Sequence, residues 1–508
     1  MSELASLVSK SLSDAAAEQY LDRVADQADA LKTAIADGEF DNPDFAVGLE
    51  MEVYSVDNVT PPRLTAVDDA VFDAGATKEL GVHNAEINTA PDVLDADGLA
   101  RQTDRIATAF ERADAAAARA DQRLITDAMW TLAPHGGSLS YLTETTEEDG
   151  IISATHMRTD PRYCAIDNDI LRHADGEIVF STTGITREFP SILFESLATS
   201  IQPHLQIPTA GAFPAHFNAA IRTMGPLVAL AANSPFLPPE LYTDTDDPAQ
   251  LVDESHHELR IAVFEQSVNQ SPNRKVRVPR DIDTVDDAVD RVVDDDLYAP
   301  FLREWLTDEP RESVADELWE FTYKRSTYWR WLRCVVGGDP VGGGDERSLR
   351  IEYRPIPTQP TIADTVGMQW LTVGLITGLV ETDHPLAELP WADAEESFYN
   401  GARDGLDAEL VWLTADGDRT TDHDEIFAEL FEIAETGLAS AGVDERAIAA
   451  RLGPLQSRVD HGMTPSAWKK GVVREEVAAG SDLADAIATM QERYIELSRS
   501  TDSFAEWF

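Results

Sequence analysis

Ser348-Leu349-Arg350-Ile351-Glu352-Tyr353-Arg354 alternates charged and apolar residues without a break. Successive side chains of an extended strand point to opposite faces, so Arg350, Glu352 and Arg354 share one face while Leu349, Ile351 and Tyr353 share the other. The period recurs in Val47-Gly48-Leu49-Glu50-Met51-Glu52-Val53-Tyr54, which aligns two carboxylates. It recurs again in Ser200-Ile201-Gln202-Pro203-His204-Leu205-Gln206-Ile207, with a histidine between two amides, and His83-Asn84-Ala85-Glu86-Ile87-Asn88 adds another acid. A sheet face lined with these groups is not a dry core, because isolated buried charges are too costly. Carboxylate oxygens next to guanidinium groups suit divalent cations and a polyphosphate together.

Glu50 and Glu52 repel each other unless a cation such as Mg²⁺ or Mn²⁺ lies between them; the competing reading is a solvated edge strand. Glu352 beside Arg354 is what phosphoryl transfer requires, since a cation bridges phosphate oxygens while a guanidinium neutralises developing charge. Its competitor is a surface ion pair, worth under about 1 kcal/mol. No G-x-x-x-x-G-K-(S/T) phosphate loop occurs, so if ATP is used it must be held by metals and arginines on a sheet.

In this order the segments resemble the glutamate–cysteine ligase family, whose fold is that of glutamine synthetase. Gly48, Glu50 and Glu52 fit its G-x-E-x-E, Glu86 with Ala90-Pro91 fits its E followed by A-P, and Glu352 with Arg354 fits its E-x-R. Ala232-Asn233-Ser234-Pro235-Phe236 matches another family phrase, and Thr464-Pro465-Ser466-Ala467-Trp468 is similar to a segment of the plant-type branch. The resemblance covers about residues 44–470. It implies an α+β fold: a curved antiparallel sheet flanked by helices, with a helical C-terminal part. It implies metal ligation by Glu50, Glu52, Glu86, His204 and Glu352, catalytic contacts from Arg354 and Arg260, and nucleotide contacts from Gln202, Gln206 and Arg350. Gln206 departs from the family, where a second histidine or an acid stands, which leaves its contact open among metal, nucleotide and amino acid. The implied activity is an ATP-dependent, Mg²⁺- or Mn²⁺-requiring ligase making γ-glutamylcysteine from glutamate and cysteine through an acyl phosphate. A ligase of another amino acid or amine, and a non-catalytic binding relative, are the alternatives.

Acids outnumber bases 93 to 40, giving a net charge of −53. The excess is spread along the chain rather than gathered in a tail, and 43% of residues are hydrophobic, so the chain is neither a disordered polyacid nor an acidic arm. We read it as a halophilic composition, suited to a cell interior of molar salt, where the Debye length is about 3 Å. Nucleic acid is excluded as a partner for want of a basic stripe. Cys164 and Cys334 make no disulfide framework or metal cluster. The stretch Met1 to Lys10 is too polar for a signal, and the apolar run near Met368 to Val380 is too short to span a membrane, which predicts a soluble, cytoplasmic protein.

The pattern divides into an N-terminal helix (1–40), a catalytic body (41–394) and a helical C-terminal region (395–508). Helices are expected over 12–37, 97–123 and 214–232, and strands over 124–132 and near 177–207. Thr361 with Asp364 resembles a capping box, and Thr464 reads as an N-cap before Pro465. The acid-rich stretch 240–347 gives mixed signals, and His256-His257 read there as solvated.

Overall fold

The spine of the fold is β1, Ala46–Asp57, whose twelve residues pair with strands on both sides in the structure, a computed structural model describing residues 2–243 and 245–508. Seven further strands complete the sheet: β2 Thr77–Lys78, β3 Asn84–Asn88, β4 Asp92–Val93, β5 Gln122–Ile125, β6 Ile201–Ile207, β7 Leu332–Val336 and β8 Leu349–Tyr353. The order is β7-β8-β6-β1-β3-β2, every pairing is antiparallel, and β4 and β5 also pair with β1. This is the curled antiparallel sheet that the sequence led us to expect.

The apolar face of the sheet carries Leu49, Met51, Val53, Leu205, Ile207 and Ile351, all buried. Helices Phe213–Ala231 and Ile362–Glu381 are themselves buried nearly all round, as helices apolar on every side must be. Gly378 allows helix His423–Ser440 to approach Ile362–Glu381, because a Cβ there would lie 2.2 Å from the Ile433 carbonyl oxygen. Two buried ion pairs tie the C-terminal helices to the body, Lys469 to Asp127 and Arg458 to Asp364. Asp127 also accepts from Gln491, and the Tyr54 hydroxyl at the end of β1 joins them.

Several boundaries differ from the sequence reading. The N-terminal helix is two, Glu3–Ser11 and Asp14–Ala36, because Ser13 caps the second by accepting from the Ala16 N–H. The strand expected over 124–132 ends at Ile125, beyond which the chain turns to place Asp127 in its buried network. The region 177–207 is a hairpin, Ile178–Thr182 with Ile185–Phe189, then a 3₁₀ turn over Ile192–Leu197, then β6. Thr361 does cap its helix, but Asp364 bonds the Thr361 hydroxyl, the Phe504 N–H and Arg458 instead of closing a reciprocal box. Thr464 is the N-cap of Pro465–Ala479 as read, and a short hairpin, Trp412–Leu413 with Arg419–Thr420, interrupts the C-terminal helices.

Among the described residues only Leu21, Val59, Val179, Leu306 and Phe508 are large apolar side chains left exposed. With 53 uncompensated negative charges on the chain, self-repulsion opposes the compact state wherever screening is weak. The melting temperature should therefore climb steeply between dilute and molar KCl. A melting curve indifferent to KCl would defeat the halophilic reading.

Candidate active site

Register brings the sequence segments together. β6 runs between β1 and β8, so Glu50 faces Gln202, Gly48 faces His204, His204 faces Glu352 and Gln206 faces Arg350. On the other side of β1, Glu52 faces Glu86. On the outer strand β7, Arg333 faces Glu352. Residues some 300 positions apart thus form one polar face.

That face walls a cavity of about 200 Å³ containing six carboxylates, Glu50, Glu52, Glu79, Glu86, Glu195 and Glu352, against three guanidiniums, Arg162, Arg333 and Arg354. Glu352 is clasped by Arg333 through two hydrogen bonds, and Arg354 stands 3.6 Å from its other side while donating to the Gln202 amide oxygen at 3.0 Å. Burial alone would raise the Glu352 carboxyl, but Arg333 and Arg354 hold it well below the usual range. Glu50 is also held below its ordinary range, burial being outweighed by His204 at 3.2 Å, whereas the remaining acids are raised. Burial, then Glu50 and Glu52, pushes Glu86 up to about 8; burial, then Glu52, does the same to Glu195. Glu79 is raised well above the ordinary carboxylate range, by burial and then by Glu86 and Glu52. Glu52 is also raised by burial, although the Ser200 N–H bonds it at 2.7 Å.

Glu50, His204 and Glu352 offer ligand atoms all within 4.8 Å of one another, the one such group of three among the described residues. His204 Nε2 lies 3.2 Å from a Glu50 oxygen without hydrogen-bond alignment, leaving a buried nitrogen with no partner. This donor set, and the excess of acids over bases around it, fit a hard divalent cation. Arg350 Nε donates to His204 Nδ1 at 3.1 Å. An arginine cannot accept, so the ring proton sits on Nε2, and ligation through Nε2 requires Arg350 to release the ring.

A second cavity, about 260 Å³, adjoins the first at Glu50 and is lined by His204, Gln206, Arg350, Gly338 and Asp339. The expected site residues therefore divide: Glu50, Glu52, Glu86, Gln202, Glu352 and Arg354 line the first cavity, whereas His204, Gln206 and Arg350 line the second. Arg260 lines neither. It is buried at the start of helix Leu259–Val268, paired with Glu258 at 3.3 Å and bonded to the Pro355 carbonyl, so it positions the wall rather than touching the space. Asn233 and Ser234 in turn fix Glu258 through the Asn233 N–H and the Ser234 hydroxyl. His256 and His257 are not solvated: both are half-buried, His257 bonds Ser466 at 3.1 Å, and burial drives its ring down to about 3. The sequence reading missed Arg333, Glu79 and Glu195. Glu79 stands seven residues before Glu86 in a turn, with no alternation to mark it.

A model of glutamate–cysteine ligase family 2 matches residues 46–485, most of the chain and all of the polar face. The chain belongs to that family. For this glutamate–cysteine ligase family 2 member, a solved glutamate–cysteine ligase from Francisella tularensis in complex with AMP has the same fold, at a TM-score of 0.50, with 14% identity over 91% of this chain and 90% of that one. The ligase PafA in complex with the ubiquitin-like protein Pup aligns at 10% identity over 90% of this chain and 78% of that one, with a TM-score of 0.35. A glutamine synthase homolog aligns at 9% over 92% and 75%, with a TM-score of 0.31; these two are too distant to carry an argument. No curated protein matches the chain.

The raised acids give this family member a testable pH dependence. A carboxyl whose folded pKa exceeds its unfolded one keeps its proton longer when folded, so stability falls as pH rises from about 4.5 to about 8. Bound cations replace those protons. In urea unfolding at molar KCl, the metal-free protein should lose stability across this window, and saturating Mg²⁺ or Mn²⁺ should flatten the loss. A decline equally steep with and without cation would mean that the acids bind none.

Proposed function

We propose that the chain is an ATP-dependent carboxylate–amine ligase that joins the side-chain carboxylate of glutamate to the amine of cysteine, making γ-glutamylcysteine. The observation that carries this reading is the row Arg333–Glu352–His204 with Glu50 beside it, which sets acids, an imidazole and guanidiniums over one cavity. Glu50, His204 and Glu352 would hold one divalent cation, and Glu52, Glu79 and Glu86 offer oxygens for another; such cations supply Lewis-acid stabilisation of phosphate oxygens. Gln206 and Arg350 support a nucleotide seat in the second cavity, with Gln202 lining the first. Arg354 faces the γ-phosphoryl group of ATP, which bonds a carboxylate oxygen of the glutamate side chain to give an acyl phosphate as its bond to the β-phosphate oxygen breaks and ADP leaves. The amine nitrogen then bonds the acyl carbon, the carbon–oxygen bond to phosphate breaks, and phosphate departs with the electron pair. Little acid–base chemistry is asked of the protein, and positioning and electrostatics carry the rate.

Phosphate release from ATP in molar KCl, with glutamate fixed and a panel of amines varied, tests the assignment. Cysteine should support the fastest release. Release driven best by another amine would keep the ligase and change the substrate, and no release with any amine, coupled with no Mg²⁺-dependent shift by ATP, would leave a non-catalytic relative.

A further inference from the structure

In a chain of 93 acids and 40 bases, an exposed arginine has acids on every side to pair with. Arg274, Arg277 and Arg280 are all exposed, yet none forms an ion pair with a described carboxylate. They belong to one run, Arg274-Lys275-Val276-Arg277-Val278-Pro279-Arg280, whose Lys275, Val276 and Val278 are buried. Lys275 is tied to Asp295, and the Trp331 N–H donates to the Arg277 carbonyl at 3.1 Å. The run therefore lies along the chain that leads into β7, the outer strand of the sheet. Arg280 is pinned, its guanidinium 3.2 Å from the ring centre of Trp391, whose indole N–H donates to the Pro279 carbonyl at 2.6 Å. Burial raises the carboxyl of Glu395, on helix Trp391–Asp404, and Arg280, Arg277 and Arg274 all oppose it, so the three guanidiniums gather near a single acid.

Three residues further on the sign reverses. Asp283 and Asp286, at the start of helix Val285–Val293, are exposed and form no ion pair with a described base. Thr284 and Asp287 close a capping box, and Arg291 donates to the Arg280 and Asp281 carbonyls, so the helix is fixed against the run. With Arg280 turned onto Trp391, the basic run and the acidic helix start do not neutralise each other. One face thus presents unpaired charge of both signs on rigid neighbouring elements.

Such a face complements itself. Under a two-fold rotation the basic run of one copy meets the acidic helix start of the other, and every contact is made twice. Arginine and tryptophan, stacked here as Arg280 on Trp391, are the residue types that anchor protein interfaces. In molar salt screening acts within about 3 Å, so these charges steer nothing from afar. They act in contact, where a guanidinium fork matches a carboxylate.

We propose that this face is a two-fold dimer interface, in which Arg274, Arg277 and Arg280 of one copy of the chain pair with Asp283 and Asp286 of a second. The pairing does not depend on the ligase reading. Sedimentation equilibrium of the full chain in molar KCl should give twice the chain mass. Arg274→Glu combined with Arg277→Glu and Arg280→Glu should raise the dissociation constant at least about 100-fold, since like charges then meet where opposite ones did. Asp283→Lys combined with Asp286→Lys should do the same.

The two altered proteins are complementary to each other. Mixed, with one of them fluorescently labelled, they should regain the mass of the wild-type dimer. If the glutamate-bearing protein melts well below wild type, the corresponding glutamine substitutions take its place, and these should dissociate the dimer without pairing with the lysine-bearing protein. A wild type of single-chain mass would overturn the proposal. So would a dimer that both sets of substitutions leave intact, or a mixture of the two charge-reversed proteins that stays monomeric.

Discussion

Arg354→Ala should slow phosphate release with ATP, glutamate and the best amine by about 10²–10³-fold, the usual loss when a preorganised charge aimed at a transition state is removed. The same variant should titrate with Mn²⁺ nearly as wild type does. Both halves follow from its position. Arg354 is nearly buried, lines the cavity and bonds Gln202, yet a guanidinium has no lone pair with which to ligate a metal. Its removal leaves Glu352 still clasped by Arg333, so the acid that a cation needs is undisturbed. An Arg354→Ala protein that turns over like wild type would reduce the strand to a ladder of structural ion pairs, and the ligase assignment would lose its main support.

Glu352→Gln should act on cation and fold together. It removes the one anion between Arg333 and Arg354, leaving two largely buried guanidiniums uncompensated, at a cost of about 3–5 kcal/mol. It also removes a charged ligand from the Glu50–His204–Glu352 group, so Mn²⁺ should bind far more weakly. The pH profile gives an independent check. A carboxyl held well below 4.5 in the fold contributes stability that is present above 4.5 and lost as pH falls through its folded pKa, so the variant should lack this acid limb. Adding Arg333→Met should restore much of the stability but none of the cation affinity. A Glu352→Gln protein as stable as wild type, with normal Mn²⁺ binding, would show that neither role exists.

What could be read in advance follows a physical division. Glu50, Glu52, His204 and Glu352 lie on strands that alternate cleanly, with Arg354 one residue past the end of its strand, and alternation is visible in a single sequence. Arg333 lies on a strand too, but Leu332-Arg333-Cys334-Val335-Val336 is mostly apolar and follows an aromatic run, so one arginine establishes no period. Glu79 and Glu195 come from a turn and a 3₁₀ segment, where no periodicity exists. Arg260 misled in the opposite way: its family place was recognisable, but only the fold shows Glu258 and Pro355 claiming its guanidinium behind the wall. The break between the first two helices was missed, although Ser13-Asp14 carries the signature of a helix start.

The buried network at the end of β1 bears on how the chain reaches this state. Lys469 neutralises an aspartate 342 residues earlier, and Gln491 reaches back 437 residues to Tyr54. A ribosome delivers Asp127 long before it delivers either partner, and helix propensity in the late segments does not substitute for them. Until Lys469 has emerged, a central carboxylate has no counter-charge and must stay wet, so the sheet cannot close around it. Closing loops of that length comes late and slowly. The sheet is thus sealed by helices made some 340 to 440 residues after it began, and nascent forms lacking them are the ones most exposed to proteases and to one another.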